Sequence, residues 1–121
     1  MSLWAPGRID QLACDFSTVI SPDKFRELFV PDIRKLGSWT EYGMYHMDGK
    51  AAMRHHLDTL LEIDEIKAIE FTPGVGSDPT LTEEYIPCYR KILASGKKLY
   101  APDRNPSGSR TFAGNRKFIY Q

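Results

Sequence analysis

Four short β-prone runs alternate with amphipathic helical stretches along this chain. The runs fall at residues 12–20, 42–47, 68–72 and 98–101. Such alternation signals parallel strands, because a parallel connection needs a crossover of a dozen or more residues, usually a helix. The sequence therefore predicts an α/β chain of four βα units. A closed barrel of such units takes eight strands and roughly 250 residues. With 121 residues, the rhythm gives a half barrel of four parallel strands followed by an irregular C-terminal tail. The expected division is a βα domain over residues 1–101 and a divergent loop over 102–121, ending in one short strand at Arg-Lys-Phe-Ile-Tyr-Gln.

Local signals place the helices. Residues 1–11 read as an extended lead-in. Ser21-Pro22-Asp23 is a strong helix start: Ser caps, Pro suits the first helical position, and Asp suits the positive end of the dipole. Phe25, Leu28, Phe29, Ile33 and Leu36 then follow helical spacing, with Pro31 expected to kink or split the helix and Gly37 to stop it. A second helix over 50–62 carries Met53, Leu57, Leu60 and Leu61 on one face. Pro73-Gly74-Val75-Gly76 breaks the chain after the third strand. Thr80 or Thr82 caps a third helix whose apolar face is Tyr85, Ile86, Tyr89, Ile92 and Leu93. Pro87 is expected to bend it, and Gly96 to end it. From these faces and the third strand the expected core is Phe25, Leu28, Phe29, Ile33, Leu57, Leu60, Leu61, Ile69, Phe71, Ile86, Tyr89 and Ile92.

Composition excludes several classes. Lys plus Arg and Asp plus Glu balance at 16 each, so the net charge is zero. That removes the overall electrostatic case for nucleic acid or an anionic membrane. Arg104, Arg110, Arg116 and Lys117 with Phe112, Phe118 and Tyr120 make a small basic and aromatic group of the kind that stacks on single strands. In a neutral chain it does not argue for a nucleic-acid partner. No apolar run approaches the ~20 residues of a membrane helix, and the start lacks the pattern of a signal peptide. Cys14 and Cys88 lie far apart with no metal or redox spacing, so a reducing cytoplasm is the expected compartment.

In parallel βα folds the reactive groups sit at the C-terminal ends of strands. That rule selects Asp15 and Ser17, His46 and Asp48, the Pro73–Gly76 loop, and Asp103 and Arg104. His46 and Asp48 stand two apart, on one side of a strand. They can hold a divalent metal or act as base and acid. The plainer alternative is a turn at Asp48-Gly49 beside a hydrogen-bonded histidine. His55 and His56 point ~100° apart on a helix and cannot share a metal, so they read as a solvated face. Gly74-Val75-Gly76 lacks the third glycine of a dinucleotide loop and the Gly-Lys-Ser/Thr of a P-loop, and reads as a tight turn.

Several segments carry a family resemblance. They are Cys14-Asp15-Phe16-Ser17, SPDKFRELFVPDI (21–33), YHMDG (45–49), RHHLDTLLEI (54–63), IEFTPGVG (69–76) and ASGKKLYA (94–101). In that order the chain resembles the uroporphyrinogen decarboxylase superfamily, which includes the decarboxylase of haem synthesis and cobalamin-linked methyltransferases. It is most similar to the decarboxylase-like branch. The resemblance implies the last four strands of a TIM barrel, with a tetrapyrrole or a methylated corrinoid partner bound at the C-terminal mouth. It implies catalytic roles for Asp15, His46 and Asp48, and substrate contacts from Ser17, Tyr45, Gly74 and Gly76. In the methyltransferase branch a His-x-Cys-Gly element binds zinc. Here the matching residues are His46, Asp48 and Gly49, so a zinc ion would rest on His46 and Asp48 without the thiolate. The decarboxylase branch works without a metal, through an aspartate and arginines from segments with no counterpart here. The expected function is thus tetrapyrrole decarboxylation or corrinoid-linked methyl transfer, with incomplete machinery. The alternative is a non-catalytic scaffold or interaction module that self-associates, two copies completing an eight-stranded sheet as a homodimer.

Overall fold

The structure, a computed structural model, describes residues 4–74, 76–77, 80 and 82–102. The expectations on Val75, Asp103, Arg104 and the tail lie outside the described residues. Four strands, β1 (Ile9–Ala13), β2 (Tyr42–Asp48), β3 (Ile66–Thr72) and β4 (Lys98–Tyr100), form one sheet. All pairs are parallel and the spatial order is the chain order. Among the described residues the sheet is not closed, and β1 and β4 are its two edges.

The connections are helical. Helices α1 (Pro22–Leu28) and α2 (Val30–Gly37) join β1 to β2, α3 (Gly49–Leu61) joins β2 to β3, and α4 (Ile86–Ala94) leads into β4. Their apolar faces form one core with Leu12, Tyr45, Met47, Ile69, Phe71 and Leu99 of the strands. In each strand these are the residues of one parity, Ile66 joining them only because it precedes a slip in register, so the helices cover one face of the sheet. The side chains of the other parity, including Gln11, Met44, His46 and Glu70, belong to the second face.

Several boundaries differ from the sequence reading. The first strand lies in the supposed lead-in, and residues 15–18 form a 3-10 turn, Asp15–Thr18. Four of the five residues of β1 are exposed, so this edge strand carries no apolar alternation to betray it. Ser21 caps α1 as expected, its Oγ accepting from the Lys24 amide at 3.3 Å. Pro31 divides the long apolar pattern into two helices, and it stands in the first turn of α2, where a missing N–H breaks no intrahelical bond. Pro87 occupies the same kind of position in α4, behind a short 3-10 turn at Glu83–Tyr85. It therefore starts a helix rather than bending one. Phe25 and Ile33 are buried, whereas Leu28 and Leu36 are 54% and 58% exposed. Leu36 follows the break at Phe29, whereas Leu28 precedes it and owes its exposure to its place on α1.

Two local features fix the entry to the sheet. The register slips by one residue where Gly43 pairs with Ile66 and Met44 with Ala68. A Cβ on Gly43 would sit 2.7 Å from the Glu65 carbonyl oxygen, so only glycine lets the strands approach here. Lys97 is the second. It reads as a helix-end cation, yet it is buried, and its Nζ donates to the carbonyls of Ile63 and Ile66 at 2.8 Å each. Among the described residues no helix is long and apolar enough to cross a membrane.

Candidate functional site

The second face of the sheet holds a polar group that three strands build together. Parallel pairing sets Ala13 beside His46, His46 beside Glu70, and Glu70 beside Tyr100, in one row across the sheet. One residue pair earlier along the strands, Gln11 stands beside Met44. The Glu70 carboxylate lies between its neighbours. Its Oε2 accepts from Gln11 Nε2 at 2.8 Å and lies 2.8 Å from His46 Nδ1. The Glu70 side chain is only 7% exposed and that of His46 is 23%.

The chemistry of the partners assigns the proton. A carboxylate oxygen accepts, so His46 Nδ1 carries the hydrogen toward it, and in the neutral ring Nε2 then keeps its lone pair. A carboxylate that fixes a histidine tautomer in this way leaves the second nitrogen to act on a ligand, as base, acid or donor. Gln11 holds the other side of the same oxygen and so limits the rotation of Glu70.

Toward the C-terminal end of the same face, Asp48 Oδ1 accepts from the Thr72 hydroxyl at 2.9 Å. Here the exits of the strands converge. A Cβ on Gly74 would stand 3.9 Å from the Cα of Gly49, and one on Gly49 would stand 3.9 Å from Thr18 Cγ2. The Asp15–Thr18 turn, the start of α3 and the loop after β3 are therefore neighbours. Gly49 and Gly74 both have positive φ, +82° and +94°, so both turns need glycine.

The sequence-predicted residues divide into two sets. His46 and Asp48 share the second face, each held by a β3 side chain. Gly74 adjoins them at the strand exits, and Gly76 lies in the following turn with open space around it. Asp15 is exposed on its 3-10 turn, and none of the described hydrogen bonds joins its carboxylate to His46. Ser17 and Tyr45 sit elsewhere. Tyr45 points into the helix-covered core, 1% exposed, and burial raises its phenol pKa well above the ordinary value. Ser17 is buried, and its carbonyl oxygen lies 2.6 Å from Nε2 of His56.

That contact corrects the reading of the histidine pair. His55 is exposed, but His56 is fully buried and stacked on Phe25 with ring centroids 4.3 Å apart. Its place was legible, since 56 falls on the stripe set by Met53 and Leu60 at helical spacing. Glu70 and Gln11 escaped the sequence reading. An acid between Ile69 and Phe71 in a central strand was the available signal, because a buried carboxylate needs partners.

Cys14 and Cys88 are half-buried and free, and burial pushes both thiols up, away from thiolate character. Among the described residues no three His, Cys, Asp or Glu side chains converge as a metal set. His46 and Asp48 supply two donors, short of the three protein ligands of a catalytic zinc site. Compared with known proteins, the chain matches no family model, no curated protein and no solved structure.

Proposed function

We propose that this chain is a βα domain of the uroporphyrinogen decarboxylase-like type, four strands of a TIM-barrel architecture, whose second sheet face binds a tetrapyrrole ligand and exchanges a proton with it. The observation that supports the reading is the Glu70–His46 pair at 2.8 Å. In it a largely buried carboxylate orients the imidazole and leaves Nε2 for a ligand at the strand ends. His46 is the proton-transfer group, Glu70 and Gln11 position it, and Asp48 with Thr72 supplies a polar rim. Asp15, on the exposed turn, would meet a ligand's periphery. Proton transfer of this kind requires no metal.

Titration of the chain with uroporphyrin and coproporphyrin, followed by the shift of the porphyrin absorption band, tests this reading. The native chain is expected to bind, and His46→Ala to weaken binding about tenfold or more, the loss of one charge-assisted hydrogen bond. Equal binding by both, or none by the native chain, would overturn it.

A second reading rests on the open sheet. Among the described residues β1 and β4 end it without closure, and Ile9, Leu36, Trp39 and Tyr42 near the β1 end are exposed. Two copies pairing β1 with the partner's β4 would complete an eight-stranded barrel as a symmetric dimer. One detail weighs against pairing at β1: Asp10 Oδ1 already accepts from the Gln11 amide at 2.8 Å, so a side chain occupies that edge donor. Light scattering across a concentration series decides, and a monomer throughout would exclude the dimer.

A further inference from the structure

We propose that His56 is an acid-operated latch for the Asp15–Thr18 turn, holding the turn to α3 when the ring is neutral and releasing it when the ring is protonated. This latch is independent of the tetrapyrrole reading. The turn is a small element whose main packing partner is α3. Its strongest described tie to that helix is the 2.6 Å bond between His56 Nε2 and the Ser17 carbonyl. A carbonyl only accepts, so Nε2 carries the hydrogen and the neutral ring presents a bare Nδ1. That Nδ1 is buried with no hydrogen-bond partner among the described residues.

The surroundings oppose a charge on the ring. From α1 it meets the face of Phe25. From its own helix it faces His55, whose charge repels a second cation. From the turn and the residues after it come the Ser17 and Ile20 carbonyls, which favour the charged ring but less than burial disfavours it, so release follows from hydrating the buried charge and not from loss of the Nε2 donor. Asp15 of the turn is exposed to solvent. Beside the turn, Tyr45 and Cys14 are kept neutral by burial.

The sign follows. Burial lowers the His56 pKa below the ordinary 6.5. The released ring therefore takes up protons that the latched ring refuses, and the latched state is fully stable above 6.5 and loses stability as the pH falls below it. Release would move Asp15 and Phe16, which adjoin the strand exits beside Gly49 through Thr18.

Amide hydrogen exchange read by mass spectrometry at about pH 7.5 and about pH 5.5, corrected for intrinsic exchange, tests the latch. Opening of the peptide spanning 14–20 is expected to rise up to about tenfold between these conditions, while α4 and β4 keep their protection. In His56→Gln, which keeps a donor and cannot titrate, the rise is expected to vanish. Unchanged opening in the native chain, an equal rise in the variant, or a rise shared by all peptides would overturn the latch. A proton NMR titration of the native chain serves where the variant does not fold. There His56 is expected to titrate below 6.5 with the turn amides following, and a midpoint at or above 6.5, or amides that do not follow, would overturn it.

Discussion

The two faces of this sheet use the same strands for different ends. On the helix-covered face Tyr45, Met47, Ile69 and Phe71 are essentially inaccessible and belong to one apolar core. On the other face their immediate neighbours along the chain, His46, Asp48, Glu70 and Thr72, are tied in hydrogen-bonded pairs across β2 and β3. Alternation along a strand separates them by a single residue. A strand here thus carries two independent messages, one of packing and one of polar pairing. Burial alone does not tell them apart: Met44 and Glu70, both on the second face, are 2% and 6% exposed. What differs is the neighbour each side chain requires. An apolar residue needs shape, whereas a buried carboxylate needs donors in fixed directions.

Breaking the packed face should have the largest effect. Phe71 is inaccessible and its ring meets Tyr85 edge-on, with centroids 5.1 Å apart. Phe71→Ala leaves a cavity among β3 and α4 and is expected to cost about 3–5 kcal/mol in urea denaturation. A cost near 1 kcal/mol would show that this face is not the main core.

The polar face should respond less in energy and more in coupling. Glu70→Leu removes the acceptor shared by Gln11 and His46 and is expected to cost about 1–3 kcal/mol. Combined with Gln11→Leu, the double variant should lose less than the sum of the singles, because Gln11 loses nothing further once its acceptor is gone. A double-mutant cycle by denaturation measures this, with a coupling of about 0.5 kcal/mol or more expected. Additive costs would mean that Gln11 does not brace the carboxylate.

The same contrast explains what was legible in the sequence. Helix periodicity and capping residues are local, so the α/β alternation, the Ser21 cap and most of the helical core faces could be read directly. β1 was misplaced because an exposed edge strand of sequence Ile-Asp-Gln-Leu-Ala has no periodic face, while the apolar residues of 12–20 imitate one. The candidate site was half legible. His46 and Asp48 follow from the rule of strand ends, but Glu70 and Gln11 depend on register across three strands. A one-residue slip at Gly43 shifts that register, and no local pattern encodes it. The resemblance puts Tyr45 on the ligand side through its segment YHMDG, although adjacency to His46 along a strand means opposite faces.

The smallest expected effect is the most direct test of how the first crossover is read. Leu28 belongs to the apolar pattern Phe25, Leu28, Phe29, Ile33, Leu36, which one continuous helix would bury together. The chain instead stops α1 at Leu28 and restarts at Val30, with Pro31 in the first turn of α2. Pro31 has no N–H to extend α1, so the turn around Phe29 is where the continuous ladder ends. Within α1 itself, Phe25 is fully buried while Leu28, one turn on, is 54% exposed. Leu28→Gln removes little surface that the fold hides from water and keeps a good helix former at the end of α1. Its cost is therefore expected to stay within about 0.5 kcal/mol, against several for Phe71→Ala. A loss of 2 kcal/mol or more would place Leu28 inside the core, and the crossover would then behave as the single helix that its spacing describes.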